Sequence, residues 1–201
     1  MIIADSHGKE MEPVMSREIY QLDPEITLEM YYVVRGRSIA VIRGEYRRRL
    51  DAIRRFAPEK VVIHCGHNNM VRHQIFNRTP AFITAVVHMV MEIVTEVRAS
   101  FPSIKIFVST LLPRVSGRDM SSIQAIQYNR LAKRFGQHML SFQITHGYTA
   151  ILNRPFWLRI SLAEPNPALF SPDGLHTTNR GREVLAGLWL AALIKRDVSE
   201  N

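Results

Sequence analysis

One cysteine in 201 residues, Cys65, leaves no partner for an intrachain disulfide, and it is too few for a zinc ribbon. Long apolar runs are also missing. The longest near an end, residues 184–194, is interrupted by Gly187 and stops at Lys195-Arg196. That falls short of the roughly 20 residues a bilayer span needs. No secretory signal is visible, so the chain reads as intracellular and cytoplasmic. Lysine is scarce: 21 of the 26 basic residues are arginine, against 18 acidic ones, for a net charge of +8. Arginine binds phosphate bidentately, so the balance fits either an anionic partner or a soluble basic surface. Hydrophobic residues make up 46 % and charged residues 22 %, which excludes a disordered chain. A chain of this size buries about 70 % of its extended surface, enough for one core. The reading is therefore one domain over residues 1–201, and its opening directly on an apolar strand suggests a domain taken from a longer protein.

Apolar and amphipathic segments alternate along the chain. Residues 1–4 predict a strand that runs into the polar turn Asp5-Ser6-His7-Gly8. Residues 26–34, rich in β-branched and aromatic side chains, predict a second strand. Residues 38–56 have helical spacing, with Ile39, Ile42, Tyr46, Leu50 and Ile53 on one face, and Pro58 stops them. Residues 60–64 form a short apolar run of the kind covered on both faces of a sheet. A helix is predicted over 80–100, led by Pro80, and a strand over 104–109. Residues 121–138 predict a helix capped by its opening serines. A last strand is expected over 140–144 and a closing helix over 179–196. Residues 153–172 carry four prolines and read as an ordered surface loop. This alternation argues for a three-layer α/β/α sandwich around a mostly parallel, flavodoxin-like sheet. Sites in such sheets lie beyond the carboxyl ends of the strands.

Those strand ends carry the chemistry. Ser6 follows the first strand on a tight turn into a helix, whose N-terminal amides would face the crevice. Gly36 follows the second, and lacking a Cβ it lets its N–H approach a substrate oxygen. Asn68 follows the third and can donate to an oxyanion. Before the closing helix comes Asp173-Gly174-Leu175-His176, with an Asp three residues ahead of a His it can orient. Each signal is weak alone; their order and placement together are specific.

The pattern resembles the SGNH (GDSL-type) hydrolase superfamily. The four blocks read Ala4-Asp5-Ser6-His7, Gly36, Gly66-His67-Asn68-Asn69 and Asp173-Gly174-Leu175-His176. Tyr128-Asn129 and residues 109–113 are softer matches. The resemblance implies Ser6 as nucleophile, His176 as general base and Asp173 as its orienting carboxylate, although some family members manage with a dyad. It implies an oxyanion hole made of the Ser6 N–H, the Gly36 N–H and the Asn68 side chain. It implies a short-chain, acetyl-type esterase needing no metal or organic cofactor. Ala4 stands where the family usually has Gly, His7 where it has Leu, and Asn69 where it has Asp; the last puts turn stability in question. A narrower resemblance is to esterase domains in the first open reading frame of some LINE-type retrotransposons, which suits an Arg-rich chain.

Other residues leave alternatives open. Ser6 could be a plain N-cap, and Asn68 an Asx-turn residue. His7, His67 and Phe170 are candidates for the substrate pocket, and Phe76, Phe156, Trp157 and Phe170 for a hydrophobic lip. His64, His67 and His73 cluster around the third strand, but no carboxylate or cysteine spacing supports a metal there. Arg43, Arg47, Arg48 and Arg54 make either a solvated helix face, partly matched by Glu45 and Asp51, or an anion-binding patch for RNA or an anionic membrane. The expected partner is a small acyl ester or a lipid. The closing helix and the aromatic loop could also support a homodimer.

Overall fold

The computed structural model describes residues 1–22, 27–32, 38–72, 80–118 and 120–194, without the side chains of residues 6–9, 22, 30–32, 71–72 and 80. Five parallel strands make one sheet, in the order β2-β1-β3-β4-β5. They are β1 (Ile2–Ala4), β2 (Met30–Tyr32), β3 (Lys60–His64), β4 (Lys105–Ser109) and β5 (Thr149–Ile151). The strands alternate with α1 (Ser6–Leu22), α2 (Ile39–Arg48), α3 (Leu50–Phe56), α4 (His67–Arg72), α5 (Pro80–Ser100), α6 (Ser122–His146) and α7 (Asn179–Ile194). A small antiparallel pair, β6 (Trp157–Arg159) and β7 (Glu164–Pro165), sits between β5 and α7.

The two-residue period of a strand builds a core on each face of the sheet. Ile3, Val61, Ile63, Ile106 and Val108 pack with residues of α2, α3, α5 and α6. Ile2, Ala4, Val62 and Phe107 point the other way, against α1 and α7. This gives the expected three layers. Each fully buried aliphatic side chain contributes about 1.5–3 kcal/mol. Trp189 of α7 is fully buried, and its ring N–H donates to Ser109 Oγ at 3.2 Å, which satisfies its one polar group. No helix among the described residues is long and apolar enough to cross a membrane.

Several boundaries fall as the sequence predicts. The helix starting at Pro80 ends at Ser100, and Ser121 caps α6 in a reciprocal capping box with Gln124. Two expectations are corrected. Residues 140–144 are the last turns of α6, not a strand. Phe135, Met139 and Phe142 continue its inward stripe at spacings of four and three, Gly147 ends it at φ 65°, and the strand follows at Thr149–Ile151. The single helix expected over 38–56 breaks at Arg49 into α2 and α3.

Helix α2 has a borrowed cap. Ser38 occupies the N-cap position without a side-chain hydrogen bond, and Asn69 Oδ1 instead accepts the Ile39 N–H at 2.8 Å. The residue that seemed to weaken its own turn thus ties α4 to the start of α2. Asn69→Ala should cost about 1 kcal/mol, a fall in Tm of roughly 2–4 °C for a domain of this size. Thermal unfolding by circular dichroism reads this directly.

Candidate active site

The strand order turns at β1: the chain goes to one side for β2 and to the other for β3. Ligand crevices open beside such switch points, at the carboxyl ends of the strands. At this edge α1 begins with Ser6 directly after β1, and α4 begins with His67 and Asn68 directly after β3. Asn68 is half-buried. The side chains of Ser6 and His7, and the whole of Gly36, His73 and Phe76, lie outside the described residues.

Asp173 and His176 form the best-defined polar pair at this edge. Asp173 Oδ2 lies 2.6 Å from His176 Nδ1. Asp173 Oδ1 accepts the backbone N–H groups of Leu175 at 2.8 Å and His176 at 3.0 Å. Burial pushes this carboxyl up, but the His176 ring and the two backbone donors outweigh it and draw it down to about 2. An acceptor fixed on Nδ1 keeps a hydrogen there and leaves Nε2 of the neutral ring as a base. That nitrogen faces α1, 3.7 Å from Glu10 Oε1. Glu10 lies one helical turn beyond Ser6, so His176 looks onto the first turns of α1.

The loop bearing this pair is held by backbone at close range. Gly174 has φ 75°, and a Cβ on it would meet the Val115 carbonyl oxygen at 2.2 Å. The Val115 N–H in turn donates to the Gly174 carbonyl at 3.2 Å. Asn129 clamps the preceding residue, accepting the Arg114 N–H at 2.7 Å and donating to its carbonyl at 2.8 Å. Asn129, one of the softer motif matches, therefore belongs to the scaffold behind Asp173.

His67 sits elsewhere than expected. It is 2 % exposed, so it lines no open crevice. Its Nε2 accepts the Leu112 N–H at 2.9 Å, which leaves Nδ1 to donate to the buried Asp5 at 3.1 Å. This bond joins the ends of β1 and β3 to the loop after β4. Asp5, His64 and His67 bring ligand-type atoms within 4.8 Å of one another, a carboxylate that spacing along the chain did not reveal. Both His67 nitrogens are already hydrogen-bonded to the protein, so the donor set does not fit a metal. Cys65 is buried as well, and burial pushes its thiol far up, with the Asp5 charge adding to it.

Phe170 is corrected in the same way. It is 6 % exposed and stacks edge-on with the buried Phe156 at 5.8 Å, within the core beneath α7. The pair anchors the 153–172 segment and forms no lip. Leu185, Ala186, Trp189 and Leu190 of α7 join that core too, so they are not free for a dimer contact.

The arginine patch is largely matched by acids. Arg43 pairs with Glu92 and Glu96, Arg47 with Glu96, Arg48 with Glu45, and Arg54 with Asp51. The break at Arg49 also puts Arg54 on a separate helix, α3, from Arg43 and Arg47. Glu92 and Glu96 come from α5, far along the chain, and their two negative charges balance those of Arg43 and Arg47.

No family model matches the sequence, and no curated protein does. Solved structures do match in shape. A GDSL-like lipase from Bacteroides thetaiotaomicron superposes with a TM-score of 0.70 at 12 % identity, over 96 % of this chain and 86 % of its own. The fold is that of the GDSL-like lipases. An acetyl xylan esterase shares this GDSL fold at TM-score 0.66 and 15 % identity, covering 96 % of this chain and 98 % of that one. A variant of an acetyl-xylooligosaccharide esterase from Geobacillus does so at 0.62 and 15 %, over 100 % and 95 %. Within the GDSL fold, sequence reading overlooked Glu10 and gave Asp5 no role. Glu10 carries a usable signal, four residues beyond Ser6 on a helix; the Asp5–His67 contact, spanning 62 residues, carries none.

Proposed function

We propose that this chain is a serine esterase of the SGNH type acting on short acyl esters. The observation that carries the reading is the 2.6 Å Asp173–His176 bond, with the free ring nitrogen turned toward the helix that begins at Ser6. Ser6 Oγ attacks the ester carbonyl while its proton passes to His176 Nε2. Asp173 holds the ring in the right tautomer and favours its charged form. The oxyanion is met by the Ser6 N–H, the Gly36 N–H and the Asn68 side-chain amide. His176 returns the proton to the leaving alcohol, and an acyl-enzyme remains. Water then attacks it, deprotonated by His176, and the acid leaves with Ser6 restored. Acetyl is the proposed acyl group, supported by the fold shared with acetyl xylan esterases.

A fluorophosphonate probe tests the nucleophile without knowledge of the substrate. Ser6 Oγ bonds to phosphorus as fluoride leaves, and the added mass is read on the peptide holding Ser6. Wild type should label and also release nitrophenol from nitrophenyl acetate faster than from long-chain esters; Ser6→Ala should do neither. A folded wild type that neither labels nor turns over any ester would overturn the reading.

A further inference from the structure

Glu10 brings a second carboxylate to the catalytic imidazole, from a different element than the first. Asp173 holds Nδ1 from the 173–176 loop, while Glu10 Oε1 of α1 lies 3.7 Å from Nε2. On its other side Glu10 Oε2 lies 3.7 Å from Arg182 Nε of α7. Both of these atoms are buried, and neither has a hydrogen-bond partner among the described residues. Buried polar atoms left this way are uncommon in folded proteins, and each calls for an explanation. Among the described residues, then, the charged groups gathered at His176 are Asp173, Glu10 and, through Glu10, Arg182.

We propose that Glu10 is a positioning residue that favours the imidazolium form of His176 and is itself held in place by Arg182. The inference rests on the esterase reading for its kinetic consequence. A neutral ring with hydrogen on Nδ1 presents its Nε2 lone pair toward the Glu10 carboxylate, an unfavourable contact. Once Nε2 takes the Ser6 proton, the same contact becomes an ion pair. Glu10 therefore gains interaction only as the tetrahedral intermediate forms, the condition for speeding the chemical step. It neither takes nor gives a proton.

The test compares wild type with Glu10→Gln, which keeps shape and removes charge. The plateau of kcat/KM should fall several-fold in Glu10→Gln, and the acid limb of its pH profile should move to lower pH. Glu10→Asp, which keeps the charge, should recover most of both. A residue that only supported the fold would lower activity by one factor at every pH. Ring nitrogen shifts of His176, followed by NMR against pH, give a readout that needs no turnover. If they titrate at the same pH with and without the Glu10 charge, the proposal is overturned. If they move apart while neither protein hydrolyses any ester, the esterase reading fails and the Glu10 contact stands.

Discussion

Asp173→Asn should lower kcat on an activated ester by about 10⁴-fold while leaving the loop folded. The reason lies in how the two carboxylate oxygens are used. Oδ1 is held by the N–H groups of Leu175 and His176, so an asparagine keeps its carbonyl oxygen there and loses little local structure. Its amide nitrogen then falls where Oδ2 meets His176 Nδ1. A donor at that place selects the ring tautomer with a lone pair on Nδ1 and a hydrogen on Nε2. That tautomer cannot accept the Ser6 proton. The variant should therefore stay folded, with a Tm somewhat lowered by loss of the charged bond to His176, bind substrate and fail at the chemical step, with KM little changed. A loss of less than tenfold would mean that His176 works without its carboxylate, as a dyad.

The same carboxylate has a signature in acid. Its folded value, about 2, lies below the ordinary 3.8. The stabilisation it brings is complete above pH 3.8 and is lost as pH falls through about 2. Denaturant midpoints measured between pH 5 and pH 2 should accordingly fall more steeply for wild type than for Asp173→Asn, which has no proton to take up there.

Short-range signals in the sequence were dependable, and the residues that depend on distant partners were not. Pro80, the Ser121 cap and the buried runs of β3 and β4 declare themselves within a few residues. The Asp173-to-His176 spacing does so too, because a three-residue reach is local geometry. Residues 140–144 were misread because Leu140 and Ile144, taken with Phe142, mimic a two-residue period. In the helix Leu140 and Ile144 are exposed, and Phe142 alone of the three packs inward. The pairing of Arg43 and Arg47 with Glu92 and Glu96 required knowing that α2 packs beside α5. Charge read along the chain overstated the patch for that reason. Phe170 and His67 looked like pocket residues because they neighbour site residues in sequence, yet the chain turns both side chains into the interior.

That relocation gives His67 a large expected effect of a different kind from the one its neighbours in sequence suggest. His67→Ala should destabilise the protein by about 3–5 kcal/mol. The ring satisfies the buried Leu112 N–H and donates to a carboxylate that is 1 % exposed, and it packs against His64 with ring centres 4.8 Å apart. Deleting it leaves a buried donor without an acceptor, takes a charge-assisted bond from Asp5 and opens a void between β1, β3 and the loop after β4. Against a typical total of about 5–15 kcal/mol, this is enough to leave a sizeable unfolded fraction at 37 °C. His67→Gln, whose amide can reach one of the two partners, should recover part of the loss. Urea denaturation of the three proteins decides the matter. Because Asp5 immediately precedes Ser6, the bond also fixes where the proposed nucleophile enters α1, so the surviving folded fraction of His67→Ala should show a lower kcat with an unchanged acyl-chain preference. A stability loss under 1 kcal/mol, accompanied by a changed chain-length profile, would return His67 to the pocket.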